Sequence, residues 1–377
     1  MTTSITPLIF VGGSRATPVE ALIADAHEAI AADLLEQLSN IPIAARPIVA
    51  TSSVAFAALA RGQNVDVIVD SPDFHFGRVL SSLIERYDIR RAFYLGGGST
   101  PLLTVSAIED IIRQVSREDD CLVANNFFSC DFVAFSPATA IQRIRLPSID
   151  NDLAYRLHHE AGLKNIVLPR TTGTQMDVDT PTDLSILTLH PGVGPHLRAV
   201  LDRANLDAER VQSIGRTMTD PTAEVVIAGR VGSYVLAHLE SDAACRTRVF
   251  SEERGMRANG REARGQVRSL LGYHLAAVGP RQFFRDLAEL GNAALIDTRV
   301  LFHHLGLMPS ASDRFLSDLL RPADIADPTV REFTQAALDA PLPVLLGGHS
   351  LVAGGLWALI DAAWLERDRA IGGGPAA

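Results

Sequence analysis

The sequence predicts an α/β protein whose N-terminal half is a three-layer domain. Short apolar runs that end in glycines or other turn residues alternate with helical segments, beginning with TPLIFVGG and VEALIADAHEAIAADLLEQL. Strands that alternate with helices at this spacing are typical of parallel strands joined by crossovers. We therefore expect a three-layer α/β domain followed by a helix-rich second half.

The remaining elements of the first half continue the alternation. Further strands are predicted at RPIVATSS, VDVIVDSP, RRAFYLGGGSTP and KNIVLP, and two β-like pieces lie within DCLVANNFFSCDFVAFSP. Helices are predicted at GRVLSSLIERYD, LLTVSAIEDIIRQVS and NDLAYRLHHEAG. Apolar residues three and four positions apart indicate these helices, and short β-rich runs between turn residues indicate the strands.

The texture of the sequence changes near residue 190. Pro191, Gly192, Gly194 and Pro195 interrupt the pattern there, so we predict domains over residues 1–192 and 193–377. The second domain has two strand-like runs, AEVVIAG and PVLLGG, among many helical stretches. Its role is not assigned by the sequence.

Composition limits the kinds of partner. A net charge of −10 has the wrong sign for bulk attraction to nucleic acid. No apolar run reaches the roughly 20 residues that a membrane helix needs. The three cysteines form no CxxC pair, which indicates neither a disulfide framework nor a thiolate zinc site and favours a reduced cytoplasm. Assembly into a homo-oligomer is left open.

Two glycine segments follow predicted strands in the first half. Ligands of open parallel sheets lie beyond the carboxyl ends of the strands, where backbone amides are free to bind phosphate or a nucleotide base. Plain turns are the alternative interpretation, and neither segment has the spacing of a Rossmann fingerprint or a P-loop. The candidate binding residues are Gly12, Gly13 and Ser14 after the first strand, and Gly96, Gly97 and Gly98 after a middle strand.

Paired acids stand near the end of the first half, in the stretch MDVDTPTDL. Asp177 and Asp179 occupy alternate positions of an extended segment, so both side chains are expected on one side of it. Hard divalent ions such as Mg²⁺ bind carboxylate and phosphate oxygens. The alternative is structural, because Thr180 or Asp179 could cap a helix that begins near Pro181. Both roles are compatible.

The acidic stretch resembles the D-[IV]-D-T-P-E-D-L signature of MobA-like nucleotidyltransferases of the GT-A type, a family that includes guanylyl- and cytidylyltransferases. The order of features is also similar over about residues 1–190, with a first strand ending in FVGG and Pro101–Leu103 after a middle strand. The resemblance implies a Rossmann-like nucleotidyltransferase domain in which the first glycine loop holds the nucleotide. It also implies catalytic roles for Arg15, Asp177 and Asp179, the two acids binding Mg²⁺.

The chain departs from the family pattern at two places. It has no lysine before Lys164, where the family has a phosphate-binding lysine soon after the glycines, and no acid immediately before Pro101. The implied activity is transfer of a nucleoside monophosphate from a nucleoside triphosphate to a small phosphorylated or acidic acceptor. The alternative is a non-catalytic nucleotide-binding or assembly protein with a degenerate transferase fold.

The second half carries its own signals. Seven arginines lie within residues 246–268, and clustered guanidinium groups suit phosphate or carboxylate. A solvated helix with glutamate partners is the competing interpretation. His349 follows Gly347 and Gly348 at a predicted strand end, where a buried structural histidine is the competing interpretation. The candidate substrate residues are Arg254, Arg257, Arg261 and His349; a further alternative puts the chemistry around Asp297, His303 and His349.

Overall fold

The computed structural model describes residues 4–69 and 74–372, which form two compact units. The first unit comprises residues 1–14, 24–177 and 194–197, and the second comprises residues 15–23, 178–193 and 198–377. The division after residue 177 lies upstream of the predicted boundary at residues 192 and 193. Residues 178–193 therefore group with the second unit.

A seven-stranded sheet forms the centre of the first unit, in the order β3-β2-β1-β4-β6-β5-β7. Its strands are β1 (Thr6–Val11), β2 (Ile48–Thr51), β3 (Asp66–Val69), β4 (Ala92–Gly96), β5 (Cys121–Ala124), β6 (Phe132–Ser136) and β7 (Lys164–Val167). All pairings are parallel except those of β6, which runs antiparallel to β4 and β5. The seven residues between β5 and β6 are too few for a parallel crossover.

The helices of the first part of the chain cover both faces of this sheet. They are α1 (Pro18–Ser39), α2 (Val54–Arg61), α3 (Phe76–Arg86), α4 (Val105–Arg117), α5 (Leu153–His159) and α6 (Thr172–Gln175). One core joins α3 and α5 to alternate residues of the strands, such as Leu8, Tyr94 and Val133. The helix α4 packs on β5 and β6 through its buried apolar stripe. The predicted three-layer α/β fold is confirmed.

A four-stranded parallel sheet, in the order β11-β10-β8-β9, forms the centre of the second unit. Its strands are β8 (Glu224–Gly229), β9 (Arg246–Ser251), β10 (Ala293–Asp297) and β11 (Val344–Gly347). The two strand-like runs of the sequence correspond to β8 and β11. The strands β9 and β10 were not predicted, and β9 occupies the start of the arginine-rich segment.

Helices make up most of the second half, as predicted. They are α7 (Pro181–Leu187), α8 (Pro195–Arg203), α9 (Ala208–Met218), α10 (Ser233–Asp242), α11 (Leu270–Val278), α12 (Pro280–Leu290), α13 (Thr298–His304), α14 (Ala311–Asp318), α15 (Pro328–Leu338) and α16 (Gly354–Gly372). One core joins α11, α12, α13 and α15 to β8, β10 and β11. The helices α7 and α9 contact β11. In the described part of the chain, no helix is long and apolar enough to cross a membrane.

The three cysteines are buried free thiols. Burial raises the pKa of Cys121 and of Cys245 to about 11. At neutral pH these sulfurs stay protonated and behave as small apolar groups. They belong to the cores.

Candidate functional site

The first sheet has a topological switch point between β1 and β4. The chain runs from β1 through β2 to β3 on one side, and β4 then pairs with β1 on the other side. The loops that follow two such strands diverge and leave a crevice at the carboxyl edge of the sheet. The two predicted glycine segments, at residues 12–14 and 96–98, follow these two strands.

Packing within the first unit accounts for the second glycine segment. A Cβ on Gly96 would lie 3.2 Å from the carbonyl oxygen of Asp131, and one on Gly97 would lie 3.1 Å from that of Phe10. The Gly97 amide also donates a hydrogen bond of 2.8 Å to the Phe10 carbonyl. These glycines are therefore required for close approach of protein backbone, and a role in binding a ligand stays a prediction.

The loop after β1 has open space beside Gly12, whereas a Cβ on Gly13 would lie 3.1 Å from the Ala24 Cβ. A Cβ on Gly12 would meet only the Ser52 hydroxyl oxygen, at 3.8 Å, and Gly12, Gly13 and Ser14 are exposed. His27 of α1 lies next to both glycine segments. Its Nδ1 is 3.5 Å from the Gly12 carbonyl oxygen, and a Cβ on Gly98 would lie 2.5 Å from its Nε2. Sequence reasoning missed His27 because it lies in a helix without any motif around it.

Two acids that the sequence did not single out lie near the end of β4. The Gly96 amide donates to the carbonyl oxygen of Asp131 at 3.0 Å, and Asn125 donates to the Asp131 carboxylate at 2.6 Å. The Tyr94 hydroxyl donates to the Asp150 carboxylate at 2.7 Å. Burial raises the pKa of Tyr94 well above its ordinary value, and the charge of the Asp150 carboxylate raises it further. The first unit thus has acids at this edge, although none stands immediately before Pro101 in the sequence.

Asp177 belongs to the first unit and Asp179 to the second. Asp177 forms an isolated antiparallel bridge with Ser99, and it is half-buried. Asp179 is exposed, whereas Met176, Val178 and Thr180 are buried. The alternation agrees with the extended segment that the sequence predicted. Joint binding of one Mg²⁺ by both acids stays a prediction.

Thr180, and not Asp179, is the N-cap of α7. The Thr180 side chain accepts from the backbone amide of Asp183, and the Asp183 carboxylate accepts from the Thr180 amide at 2.7 Å, which completes a capping box. Asp183 is completely buried, and its carboxylate also accepts from the Ser350 hydroxyl at 2.7 Å. The Asp179 carboxylate takes no part in this capping box.

The arginine-rich segment is not a helix beyond β9 but an irregular stretch over residues 252–268, with turns at residues 254–265. Arg261 is fixed by the Glu253 carboxylate through two contacts of 2.7 Å, so the predicted substrate role of Arg261 competes with a structural one. Arg254 and Arg257 are exposed, and each is without an ion-pair partner among residues 4–69 and 74–372. Arg15 is also exposed and falls in the second unit.

His349 lies just beyond β11, as predicted, and is half-buried. Burial lowers its pKa, and the neighbouring Arg230 lowers it further. The neighbouring carboxylates of Asp297 and Asp179 oppose this shift. His303 lies on α13 with its Nε2 3.4 Å from the Glu262 carboxylate. Burial lowers its pKa, and the charges of Arg230 and Asp297 also act on its ring.

No family model matches the chain, and no curated protein matches it. The solved structures similar to its N-terminal half are nucleotidyltransferase-like. A cytidylyltransferase from Leptospira borgpetersenii is 13% identical, with a TM-score of 0.39 over 54% of this chain and 99% of that protein. A protein from Desulfovibrio desulfuricans, provisionally assigned as a nucleotide-diphospho-sugar transferase, is 14% identical, with a TM-score of 0.40 over 55% of this chain and 100% of its own.

A third similar structure is CMP:2-keto-3-deoxy-manno-octonic acid synthetase, which was solved with CTP. It is 13% identical, with a TM-score of 0.35 over 49% of this chain and 96% of its own. Similarities at these scores identify neither a substrate nor a reaction for the present chain. The narrower resemblance to MobA-like enzymes stays a prediction.

Proposed function

We propose that the first unit is a nucleotidyltransferase domain that binds a nucleoside triphosphate at the carboxyl edge of its sheet. It transfers the nucleoside monophosphate to a small phosphorylated or acidic acceptor. The observation that supports this proposal is the switch point between β1 and β4, which both glycine segments flank. Asp177 lies beside the second of them through its bridge with Ser99.

The reaction has a simple balance. An oxygen of the acceptor forms a bond to the α-phosphorus of the nucleotide, the bond from that phosphorus to the bridging oxygen breaks, and pyrophosphate leaves. A phosphate or carboxylate oxygen attacks in its ionised form, whereas a hydroxyl acceptor loses its proton to solvent. The exposed amides at residues 12–14 bind the nucleotide, and His27 orients the loop through its contact with Gly12.

Mg²⁺ fits the chemistry of the proposed site. Asp177 offers carboxylate oxygens at the edge where the phosphates would lie, and Mg²⁺ commonly takes one or two carboxylates together with phosphate oxygens and water. When bound, the ion would neutralise charge on the phosphates. Asp131 and Asp150 also lie at this edge, where each accepts a hydrogen bond from a side chain of the same unit.

Nucleoside triphosphates with Mg²⁺ are expected to raise the melting temperature of the protein. A ligand that binds only the folded state at about 100 times its Kd stabilises it by about 2.7 kcal/mol, roughly 5–10 °C for a unit of this size. The measurement is a thermal-shift series with GTP, CTP, ATP and UTP, each with Mg²⁺ and with a chelator. Asp177→Asn should remove the Mg²⁺-dependent part of the shift.

Asp119→Asn is the matched control. Asp119 is exposed, precedes β5 at the opposite edge of the same sheet, and pairs with Arg91 at 3.2 Å. Nucleotide with Mg²⁺ should raise the melting temperature of the Asp119→Asn variant as much as that of the parent. If no nucleotide shifts the parent, or if both variants lose the shift equally, the proposal is wrong.

Pyrophosphate release separates catalysis from binding. A nucleotide-dependent shift without release of pyrophosphate, across a panel of phosphorylated and carboxylic acceptors, would favour the non-catalytic alternative. The tight backbone packing at Gly96 and Gly97 also favours the non-catalytic alternative, because it explains these glycines without a catalytic role.

A further inference from the structure

The second sheet has its own topological switch point, between β8 and β10. The chain passes from β8 to β9 on one side, and β10 then pairs with β8 on the other. All four strands are parallel, so their carboxyl ends share one edge. The residues just beyond β8 and at the end of β10 are Arg230 and Asp297. A crevice between such strands is the usual ligand site of an open α/β sheet.

Arg230 and Asp297 form a two-pronged ion pair at this edge. The Arg230 Nε donates to Oδ2 of Asp297 at 2.6 Å, and Nη2 donates to Oδ1 at 3.1 Å. The Asp297 side chain is completely buried, while that of Arg230 is 19% exposed. Burial alone would raise the pKa of Asp297, but the guanidinium holds it below its ordinary value. The unused donors of Arg230 leave it able to bind an anion as well.

The other two strands of the sheet, β9 and β11, end at the same edge and bring further groups to it. His349, after β11, is close enough to Arg230, Asp297, Asp179 and Arg254 for their charges to act on its ring. Within residues 4–69 and 74–372, no hydrogen-bond partner contacts the nitrogens of its imidazole. A neutral histidine without a partner, set among four charged groups, has one donor and one acceptor for a ligand.

The turn after β9 is built to present Arg254. Glu253 adopts a left-handed backbone with φ of 53°, and its carboxylate accepts from the Arg261 guanidinium and from the Arg268 amide at 3.0 Å. The guanidinium of Arg268 donates to the backbone carbonyls of Gly265 and Val267. These contacts hold the backbone of the segment in place. Arg254, which directly follows Glu253, has no ion-pair partner among the described residues. Its charge is therefore available.

The charges at the edge limit the ligand. Arg230 is balanced by Asp297, and the nearby Arg299 by Asp318. Among the described residues whose charges act on His349, this leaves Arg254 as the surplus cation and Asp179 as the surplus anion. A triphosphate or pyrophosphate would bring several negative charges against both aspartates and is disfavoured. A single small oxyanion, carboxylate or phosphate monoester, with a neighbouring hydroxyl suits the set, because the hydroxyl can donate to Asp179 or exchange hydrogen bonds with His349.

We infer that the second unit binds a small oxyanion, the carboxylate or phosphate monoester of a hydroxylated metabolite, at the carboxyl edge between β8 and β10. Arg254 and Arg230 bind the oxyanion, and His349 and Asp179 bind the hydroxyl. The inference does not rest on the nucleotide site proposed for the first unit.

The inference is tested by calorimetric titration of the full chain with four probes. Glycolate and acetate are carboxylates with and without a hydroxyl, and glycerol 3-phosphate and ethyl phosphate are the corresponding pair of phosphate monoesters. One hydroxylated probe is expected to bind about 10-fold more tightly than its partner, because a hydrogen bond to a charged group contributes roughly 1.5 kcal/mol. Tighter binding of the two carboxylates or of the two phosphates shows which oxyanion the site prefers.

Arg254→Gln is expected to weaken the best probe by about 10-fold or more, because a charge-assisted hydrogen bond is lost. Arg246→Gln is the matched control, since Arg246 is 74% exposed at the amino end of β9, the opposite edge, and should bind the probe as the parent does. Failure of all four probes to bind, or equal binding by the Arg254 variant and the parent, would overturn the inference. Nucleotide binding by the first unit should persist in both variants.

Discussion

Replacement of Asp318 by alanine is expected to lower the free energy of unfolding of the second unit by about 3–5 kcal/mol. Asp318 accepts two hydrogen bonds from Arg299, at 2.7 Å and 2.6 Å. The side chain of Asp318 is completely buried and that of Arg299 is 12% exposed. Burial would lower the pKa of Arg299, but the Asp318 carboxylate keeps it above its ordinary value, so the guanidinium stays charged. Without Asp318 the guanidinium charge of Arg299 is left unpaired and almost without contact with water. Urea unfolding monitored by circular dichroism measures the loss.

A double variant distinguishes loss of the charge pair from loss of packing. Arg299→Met together with Asp318→Leu removes both charges and keeps apolar volume, so it should recover most of the stability that Asp318→Ala loses. Glu366→Ala is the surface control, because Glu366 and its partner Arg216 are 39% and 65% exposed and 3.3 Å apart. That change should cost less than about 1 kcal/mol. An Asp318 variant as mild as the Glu366 variant would contradict the expectation.

The first unit was predictable because its signals are local. Each of its strands ends in turn residues, and the helical stripe of α4 is regular. The antiparallel direction of β6 depends on the short link from β5, which composition does not reveal. The helix α2 was not predicted, since its eight residues are mostly small and apolar and show no clear polar face.

The second sheet was only half predictable. In β9, arginines alternate with threonine and valine, so the run looks polar, yet as an edge strand it needs only one partner. The strand β10 is a run of five buried residues that a buried helix segment could equally contain. The sequence grouped Asp297, His303 and His349 as one alternative. It did not add Arg230 to them, because the strand order that places Arg230 beside Asp297 cannot be read from the sequence.

The acidic stretch illustrates how one motif divides into two roles. The sequence identified a helix start and two acids, and the helix start is confirmed with Thr180 as its cap. The third acid of the stretch, Asp183, drew no attention because it lies inside the helix. Its burial depends on Ser350, which is 167 residues away, and on the docking of α7 through the hydrogen bond of 2.6 Å from Thr182 to the Leu346 carbonyl.

Asp183→Ala is therefore expected to destabilise the second unit by about 3 kcal/mol, the other large effect. One carboxylate oxygen, Oδ2, accepts from the Asp179 amide, the Thr180 amide and hydroxyl, and the Ser350 hydroxyl, at 2.7–3.0 Å. Alanine leaves these donors without an acceptor in a buried place, and each unsatisfied donor costs about 1–3 kcal/mol before the site relaxes. Urea unfolding at pH 5 measures the effect.

The pH dependence of the folding stability of Asp183→Asn tests whether the buried Asp183 carboxyl group is protonated in the folded protein. Burial, with smaller support from Asp179, raises the pKa of Asp183 from 3.8 to about 7. The folded protein therefore holds a proton that the unfolded chain releases near pH 4. Stability from this proton is complete below about pH 4 and declines as pH rises to about 7, by at most about 1.4 kcal/mol per pH unit.

Asparagine keeps the acceptor oxygen and cannot ionise. The asparagine variant should therefore gain stability relative to the parent between pH 4 and pH 7, and the difference should level off above pH 7. Parallel stability curves for parent and variant across this range would mean that Asp183 is ionised in the folded protein at pH 5. In that case Arg299, whose charge acts on Asp183, would have to stabilise the buried carboxylate, and the Arg299→Met, Asp318→Leu background would restore the missing pH dependence.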